Sequence, residues 1–466
     1  MFFIKPLKIC EDFINAVSTT LGRLGNNKLS YSQKLWLMLC ITGILVTNSV
    51  CWERFSRACF GEYKSNTLSK MFRRTKIDWD LLLQASVLNI FQQYDVTKGV
   101  LALDDTDNKR SKNTSKISLV HKIKDKTSGG YVQGQELTFL LLITDKITIP
   151  VGFAFYSPDP AYSAWSKEDK RLKKQKTAKK DRPSKPSRNN RYPSKHEVGI
   201  KLIKDFKNKY SNILVQAILA DALYGASFFV SSVIHIYPNV QLISQVKSTQ
   251  KVRVGRKYYS VKEYFEWNKG VPKLMCIRGG VTKEVTIHGA RLYLKAHKAK
   301  RFVIALKYPG EDKYRYLLGT DLTWRLTDIA TAYTLRWLVE VFIQDWKSYE
   351  GWCQLAKQPA YDGSCKGVNL SLLLDHCLLL HPEQIALIRN NLPAVTVGSL
   401  RDLERAKAII ETIEELVTSE QPDKVISCLK NSISEIIPLR ESSKHMSGRY
   451  LGRLESTPYL KYQAAA

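Results

Sequence analysis

The chain has 466 residues, 44% of them hydrophobic, which is enough for two to four domains with cores of their own. Its 72 Lys and Arg stand against 43 Asp and Glu, a formal net charge of +29, and a surplus of that size and sign points to a polyanionic partner, most often nucleic acid. Nine cysteines without a Cys-x-x-Cys pair argue against a disulfide framework and fit reduced thiols in the cytoplasm; Glu11 and Asp12 fall too early for a signal peptide, and the longest apolar run, Leu35 to Val46, is too short to span a bilayer.

Residues 1–95 read as helices. One covers about 7–20, and Ser30 or Ser32 caps the apolar LWLMLCITGIL. Asn48 or Ser49 opens VCWERFSRACF, which Gly61 closes. TLSKMFRR follows, with Lys70, Arg73 and Arg74 near its end, and a longer helix covers about 78–94. Short helices with a basic last member suit a DNA-binding helix-turn-helix and equally a helical cap with a basic surface.

At 99–103 the pattern changes to a short apolar strand that ends at Asp104-Asp105-Thr106. Residues 107–133 are polar and Lys-rich, a loop or a loop with a hairpin. ELTFLLLITD and ITIPVGFAFY read as a hairpin whose continuous apolar runs suit a sheet buried on both faces. Residues 166–195 are basic and of low complexity: Lys167 to Lys195 hold thirteen Lys or Arg and three acids. Pro183, Pro186 and Pro193 argue against a helix over the second half. The segment reads as mobile when unbound and as an arm that tracks phosphates, with Lys173, Lys174, Lys179 and Lys180 among its phosphate-binding groups; a merely solvated insertion is the alternative.

A helix from His196 leads into the strand ILVQAILAD, which ends at Asp221. A helix at about 225–236 and the strand VQLISQVK follow, and residues 248–320 shift to β. Next comes YTLRWLVEVFIQDWK, inside a helix of about 328–350 with Thr327 or Asp328 as its cap and Gly351 at its stop. Tyr333, Arg336, Glu340, Gln344 and Lys347 share a stripe about 80° wide, with Leu335, Leu338, Val339, Phe342 and Trp346 roughly opposite. Residues 366–466 are helical, and 405–420 could pack on the core or on a second subunit. Cys353, Cys365, Cys377, His376 and His381 lack zinc-ligand spacing.

Two strands thus end in Asp, at Asp104 and Asp221, and a late helix carries Glu340. Such a trio is the plan of a divalent-metal site, whose hard oxygens suit Mg²⁺. Alternation along a strand sends Asp104 and Asp105 to opposite sides. The element order fits a ribonuclease-H-like mixed sheet flanked by helices. The fold expected is therefore α/β. A catalytic core (96–247 and 323–365, with the basic insert 166–195) is interrupted by a β-rich insertion at 248–322 and flanked by helical regions at 1–95 and 366–466.

Tyr333, Arg336, Glu340 and Lys347 keep the residues and spacings Tyr-x2-Arg-x3-Glu-x6-Lys. With the DDT at 104–106 and the ADALYG at 220–225, this resembles the DDE transposases of bacterial insertion sequences that carry the Tyr-Arg-Glu-Lys signature. The resemblance covers about 99–350, and its Asp-x-Thr pattern selects Asp104 over Asp105. It implies a ribonuclease-H-like core with a β insertion, which here fills the gap of 118 residues between Asp221 and Glu340. It further implies nicking and strand transfer with two Mg²⁺ ions, for which Mn²⁺ would substitute, on double-stranded DNA and in a homodimer at the bacterial nucleoid. Asp104, Asp221 and Glu340 would hold the metals, and Tyr333, Arg336 and Lys347 would lie against the DNA backbone. Trp267 and Trp337 are candidates to stack an unpaired base, although core packing is the commoner role of tryptophan. A transposase-derived DNA-binding protein and a stand-alone nuclease of the same fold are the alternatives.

Overall fold

The computed structural model describes residues 5–427 and 430, apart from 26–27, 60, 111–113, 115–116, 125–129, 278–280 and 353–359. Five helices open the chain: α1 (Lys8–Gly25), α2 (Tyr31–Thr47), α3 (Trp52–Ala58), α4 (Ser65–Arg74) and α5 (Trp79–Tyr94). Ser30 caps α2 in a full capping box with Gln33. Asn48 does not open α3 but ends α2 in a left-handed conformation, and α3 begins at Trp52. α2 is apolar all round and buried from Trp36 to Thr47, the signature of a central helix. No single described helix is long and apolar enough to cross a membrane; α2 and α3 pass that test only together, and they meet at 84°.

Strands β1 (Lys98–Lys109), β2 (His121–Lys124), β3 (Tyr131–Ile143) and β4 (Thr148–Tyr156) follow, then α6 (Pro160–Lys174), α7 (Lys195–Lys209), β5 (Leu214–Ala220), α8 (Ser227–Ile236) and β6 (Gln241–Gln245). The β-rich block comprises β7 (Lys251–Val254), β8 (Lys257–Ser260), α9 (Val261–Trp267), β9 (Val271–Ile277), β10 (Val281–Leu294), β11 (Ala299–Lys307) and β12 (Arg315–Gly319). The helices α10 (Leu326–Thr334), α11 (Trp337–Tyr349), α12 (Ala360–Leu379), α13 (Pro382–Arg389) and α14 (Val397–Thr418) follow; residues 431–466 of the expected C-terminal helical region lie outside the described residues.

All the described strands belong to one mixed sheet, in the order β2-β3-β1-β5-β6-β12-β11-β10-β7-β8, with β4 also on β3 and β9 also on β10. β1, β5 and β6 are parallel; β3 and β4 form the expected hairpin, antiparallel to β1. The β-rich block is no separate sheet, since β12 pairs with β6 and carries the core sheet onward.

Two apolar layers sandwich the sheet, and residue parity assigns them. Leu101, Leu103, Ile218 and Ala220 join the layer beneath α7 and α8. Ala102, Phe139, Ala217 and Leu219 join the layer beneath α10 and α11, where Phe342 and Trp346 stand edge-on to Phe139 at 5.4 and 4.8 Å. A third core joins α1–α5 to α12 and α14 through Leu370, Leu373, Leu374 and Leu400. The two helical regions, far apart in sequence, therefore share one core.

Three expected elements come out differently. β1 does not stop at Asp104. Its parallel partner β5 ends at the Leu103–Ala220 pair, while the ladder to β3 continues to Lys109. The single helix of 328–350 is two helices: the amides of Leu335 and Arg336 bond three residues back, to Ala332 and Tyr333, and the chain turns tightly there. Its N-cap is Arg325, without a side-chain cap, rather than Thr327 or Asp328, whereas Gly351 at φ +81° stands at its stop as expected. The basic insert is ordered in its first half as α6, capped by Asp159. Its proline-bearing half runs without helix and is tied back by the Trp165 indole, which donates to the Pro183 carbonyl at 2.8 Å, and by an Arg182–Asp169 pair at 3.1 Å.

Candidate active site

The ladder geometry places Asp104 where β5 runs out beside β1, which opens a notch on the α11 face of the sheet. Asp221 follows the last residue of β5 with the parity of Ala217 and Leu219, hence on the same face. Its Oδ1 accepts the Leu223 amide at 2.9 Å and caps the 3₁₀ turn Ala222–Gly225. The Ser244 hydroxyl of β6 donates to its carbonyl at 2.6 Å. A Cβ on Gly225 would stand 2.1 Å from the Gln245 carbonyl, so this turn can lie against β6 only with glycine there.

The broken helix brings the third carboxylate. Arg336 sits at the break, immediately before α11, and Glu340 lies in the first turn, where a negative charge suits the helix dipole. Arg336 Nη1 donates to Asp104 Oδ2 at 2.6 Å, and its Nη2 donates to Glu340 Oε1. The guanidinium thus links β1 to α11. Tyr333 lies beside it, its ring centroid 6.0 Å away, and the Tyr333 hydroxyl accepts from Gln245 Nε2 at 2.9 Å. Further along α11, Lys347 Nζ donates to the Asp107 carbonyl and lies 3.8 Å from the Asp107 carboxylate. The polar stripe read from the sequence therefore follows β1 along its length: Arg336 on Asp104, Lys347 on Asp107.

Burial sets the electrostatics. The Asp104 carboxyl is pushed up to about 6, because burial outweighs the pull of Arg336 and of the Asp105 amide, and the charges of Asp221 and Asp105 add to the rise. Burial also raises Asp221, opposed by the Leu223 amide. Glu340, 47% exposed, is the open end of the cluster.

Asp105 faces the other way, as alternation requires. Its Oδ1 accepts from the Thr138 hydroxyl at 2.7 Å and the Tyr224 hydroxyl at 2.8 Å, and Lys195 Nζ lies 3.1 Å from Oδ2. Lys195 is shared with Glu136 at 3.2 Å, which also meets His121 at 3.1 Å. Sequence reasoning assigned no role to Tyr224, Thr138 or Gln245, set Asp105 aside in favour of Asp104, and counted Lys195 in the phosphate-tracking arm, whereas it pairs with Asp105 and Glu136. The one available signal was the Tyr-Gly that follows Asp221 in ADALYG.

The remaining candidates lie elsewhere. Trp267, at the end of α9, is 61% exposed and edge-on to Tyr259 at 4.7 Å, so it is no core tryptophan. Trp337 is half-buried at the start of α11. Lys173 and Lys174 at the end of α6, and Lys179 and Lys180 in the following turn, are exposed. Of the residues weighed for zinc, His376 is fixed between the Ser86 hydroxyl and the Pro150 carbonyl, and His381 meets Glu404; Cys353 lies outside the described residues.

Two Asp and a Glu from three elements are, in kind and number, the donors of a Mg²⁺ or Mn²⁺ site. Among the described residues, however, no three carboxylate, imidazole or thiol groups stand close enough to share one ion. The cation between Asp104 and Glu340 is Arg336.

No family model and no curated protein matches the sequence. Among solved structures, the chain is similar to a piggyBac transposase in a synaptic complex with hairpin DNA, over 100% of this chain and 91% of that one, at 9% identity and a TM-score of 0.44. It is also similar to the NurA nuclease of Sulfolobus solfataricus, over 51% of this chain and 72% of that one, at 8% identity and a TM-score of 0.26.

Proposed function

We propose that the chain is a DNA transposase of the DDE kind, which nicks the ends of its element and joins them to target DNA by phosphoryl transfer on a ribonuclease-H-like core. One observation carries this reading. Asp104 and Asp221 lie on one face of the sheet, and Arg336 of the Tyr-Arg-Glu-Lys stripe ties Asp104 to Glu340. A solvated helix face would have no reason to aim an arginine at a buried strand carboxylate.

Asp104, Asp221 and Glu340 would hold two Mg²⁺ or Mn²⁺ ions, whose chemistry is to activate the attacking water or 3′-hydroxyl and to stabilise the departing oxygen. The chain's own groups do the rest. Arg336 presents a planar fork suited to a phosphate, and Lys347 adds a point charge further along α11. The Tyr333 hydroxyl, fixed by Gln245, keeps the Arg336 side of the notch in place. The exposed lysines of α6 and the turn after it lengthen the phosphate-binding surface, as do Lys70, Arg73 and Arg74 on α4. Trp267 offers an open face to an unstacked base, and Trp337 follows Arg336 in the chain. The working form is a homodimer on DNA at the bacterial nucleoid.

The test is Glu340→Gln against the parent protein, in a gel shift and in a Mg²⁺-dependent nicking assay on the element's own ends. The amide keeps the shape and removes the charge, so nicking falls by about a hundredfold or more while DNA binding persists or strengthens. Wild-type nicking by the variant would remove Glu340 from the site and the reading with it.

A further inference from the structure

We propose that Arg336 is a resident counter-cation that must be drawn away by a DNA phosphate before a divalent ion can take Asp104 and Glu340 together, so that DNA and metal each tighten the binding of the other. The inference rests on the reading of this site as a metal-dependent DNA site.

Three observations lead to it. First, the two guanidinium nitrogens are divided between the two carboxylates: Nη1 on Asp104 at 2.6 Å and Nη2 on Glu340. A divalent ion shared by those carboxylates would compete with Arg336 for Asp104 Oδ2 and Glu340 Oε1, and the two like charges would repel at such short range. With Arg336 seated between two of the donors, no three potential ligands among the described residues converge, although the donors are of the right kind.

Second, the bridge is anchored at one end and open at the other. The side chains of Arg336 and Asp104 are each 15% exposed, whereas Glu340 is 47% exposed. A phosphate arriving from solvent reaches the Glu340 end first. It is a bidentate acceptor for the planar fork, so it competes with the carboxylate on equal geometric terms.

Third, Arg336 occupies the break between α10 and α11, where the backbone hydrogen bonds are of the tight three-residue kind: Leu335 to Ala332, Arg336 to Tyr333, Leu338 to Leu335 and Val339 to Arg336. The packed parts on either side are Ile329 and Ala330 of α10 and Phe342 and Trp346 of α11. A change of backbone at the break redirects the guanidinium and leaves those anchors seated. The Tyr333 ring, 6.0 Å from the guanidinium, is an aromatic face within its reach.

Linkage then follows. When phosphate takes Arg336, Asp104 and Glu340 lose their counter-charge and their affinity for a divalent ion rises. By reciprocity the ion raises the affinity for DNA by the same factor. The device would keep the hydrolytic ion out of the empty protein and admit it with the substrate.

The experiment measures Mn²⁺ binding directly, by electron paramagnetic resonance of the free ion, on full-length metal-stripped protein with and without a short duplex. For the wild type, the duplex tightens Mn²⁺ binding by about 5–150-fold, and Mn²⁺ tightens duplex binding equally. Arg336→Gln binds Mn²⁺ without DNA more tightly than the wild type, and the duplex adds little more. Arg336→Lys, which keeps a charge but not the fork, falls between the two. It also serves as the informative variant if the glutamine form does not fold. Arg336→Gln or Arg336→Lys binding Mn²⁺ no more tightly than wild type would overturn the competition, while the metal-site reading stands as long as Asp104→Asn abolishes binding. Mn²⁺ binding indifferent to Asp104→Asn would overturn both.

Discussion

Asp104 and Asp105 are neighbours on one strand and live in opposite surroundings. Asp105 faces α7 and has three partners: two hydroxyls on one oxygen and a lysine at the other. Through Tyr224 it ties β1 to the turn that follows Asp221, so it braces the site from behind. Asp104 faces α11 with one guanidinium and one amide, and burial there still raises its carboxyl to about 6. The contrast separates two uses of a carboxylate. One that accepts three donors from three elements holds them together, and one left short of positive charge has affinity to offer a ligand.

The sharpest way to break this contrast is to remove the brace. Asp105→Ala leaves Lys195, Thr138 and Tyr224 without their shared acceptor, and denaturant unfolding should show a loss of about 3–5 kcal/mol. A loss below about 1 kcal/mol would mean that Asp105 braces nothing. Asp104→Asn should do the reverse in metal-free protein. A carboxyl whose folded pKa lies above its ordinary value keeps its proton in the native state where the unfolded chain has released it. Its ionisation therefore costs stability as pH rises from about 4 through about 6. The amide has no such cost, so the variant gains up to roughly 3 kcal/mol over wild type above pH 6 and nothing near pH 4. Equal stability of the two proteins across that window would refute the asymmetry.

Smaller effects test whether ligand-facing chemistry extends beyond the notch. Trp267→Ala touches an exposed ring, so folding should be unchanged, while steps after the first nick weaken by about 1–3 kcal/mol. Unfolding of that variant would return Trp267 to a structural role. Replacing Lys173, Lys174, Lys179 and Lys180 with alanine should weaken binding to all duplexes alike. The slope of log affinity against log salt should flatten by just under one unit for each phosphate that the protein no longer neutralises. An unchanged slope would make the segment a solvated insertion.

The sequence displayed its local patterns well and its long-range pairings poorly. The hairpin of β3 and β4, the strand ending at Asp221 and the Glu340–Lys347 part of the stripe on α11 all follow from periods of two or about 3.6, which a chain carries in itself. Opposite facing of Asp104 and Asp105 followed from alternation alone. The length of β1 did not, because its second half is held by pairing with β3 rather than by apolar content. The break at Arg336 lies in a run with neither Gly nor Pro, where an arginine drawn to Asp104 competes with a regular helix. The order of α6 within a lysine-rich tract depends on Asp159, Asp169 and Trp165, three residues that composition averages away. The brace on Asp105 joins four segments, and only its Tyr224 lies in a local motif, the ADALYG after β5.

The most direct test of the account is nicking by Asp104→Asn and Asp105→Asn side by side, on the element's own ends with Mg²⁺. Both variants keep the side-chain shape and remove one negative charge from adjacent positions of β1. Asp104→Asn should lose at least about a hundredfold in rate, whereas Asp105→Asn, whose amide oxygen can still accept from Thr138 and Tyr224, should keep measurable activity. Nicking that survives Asp104→Asn and disappears with Asp105→Asn would place the chemistry on the other face of the sheet and contradict the account.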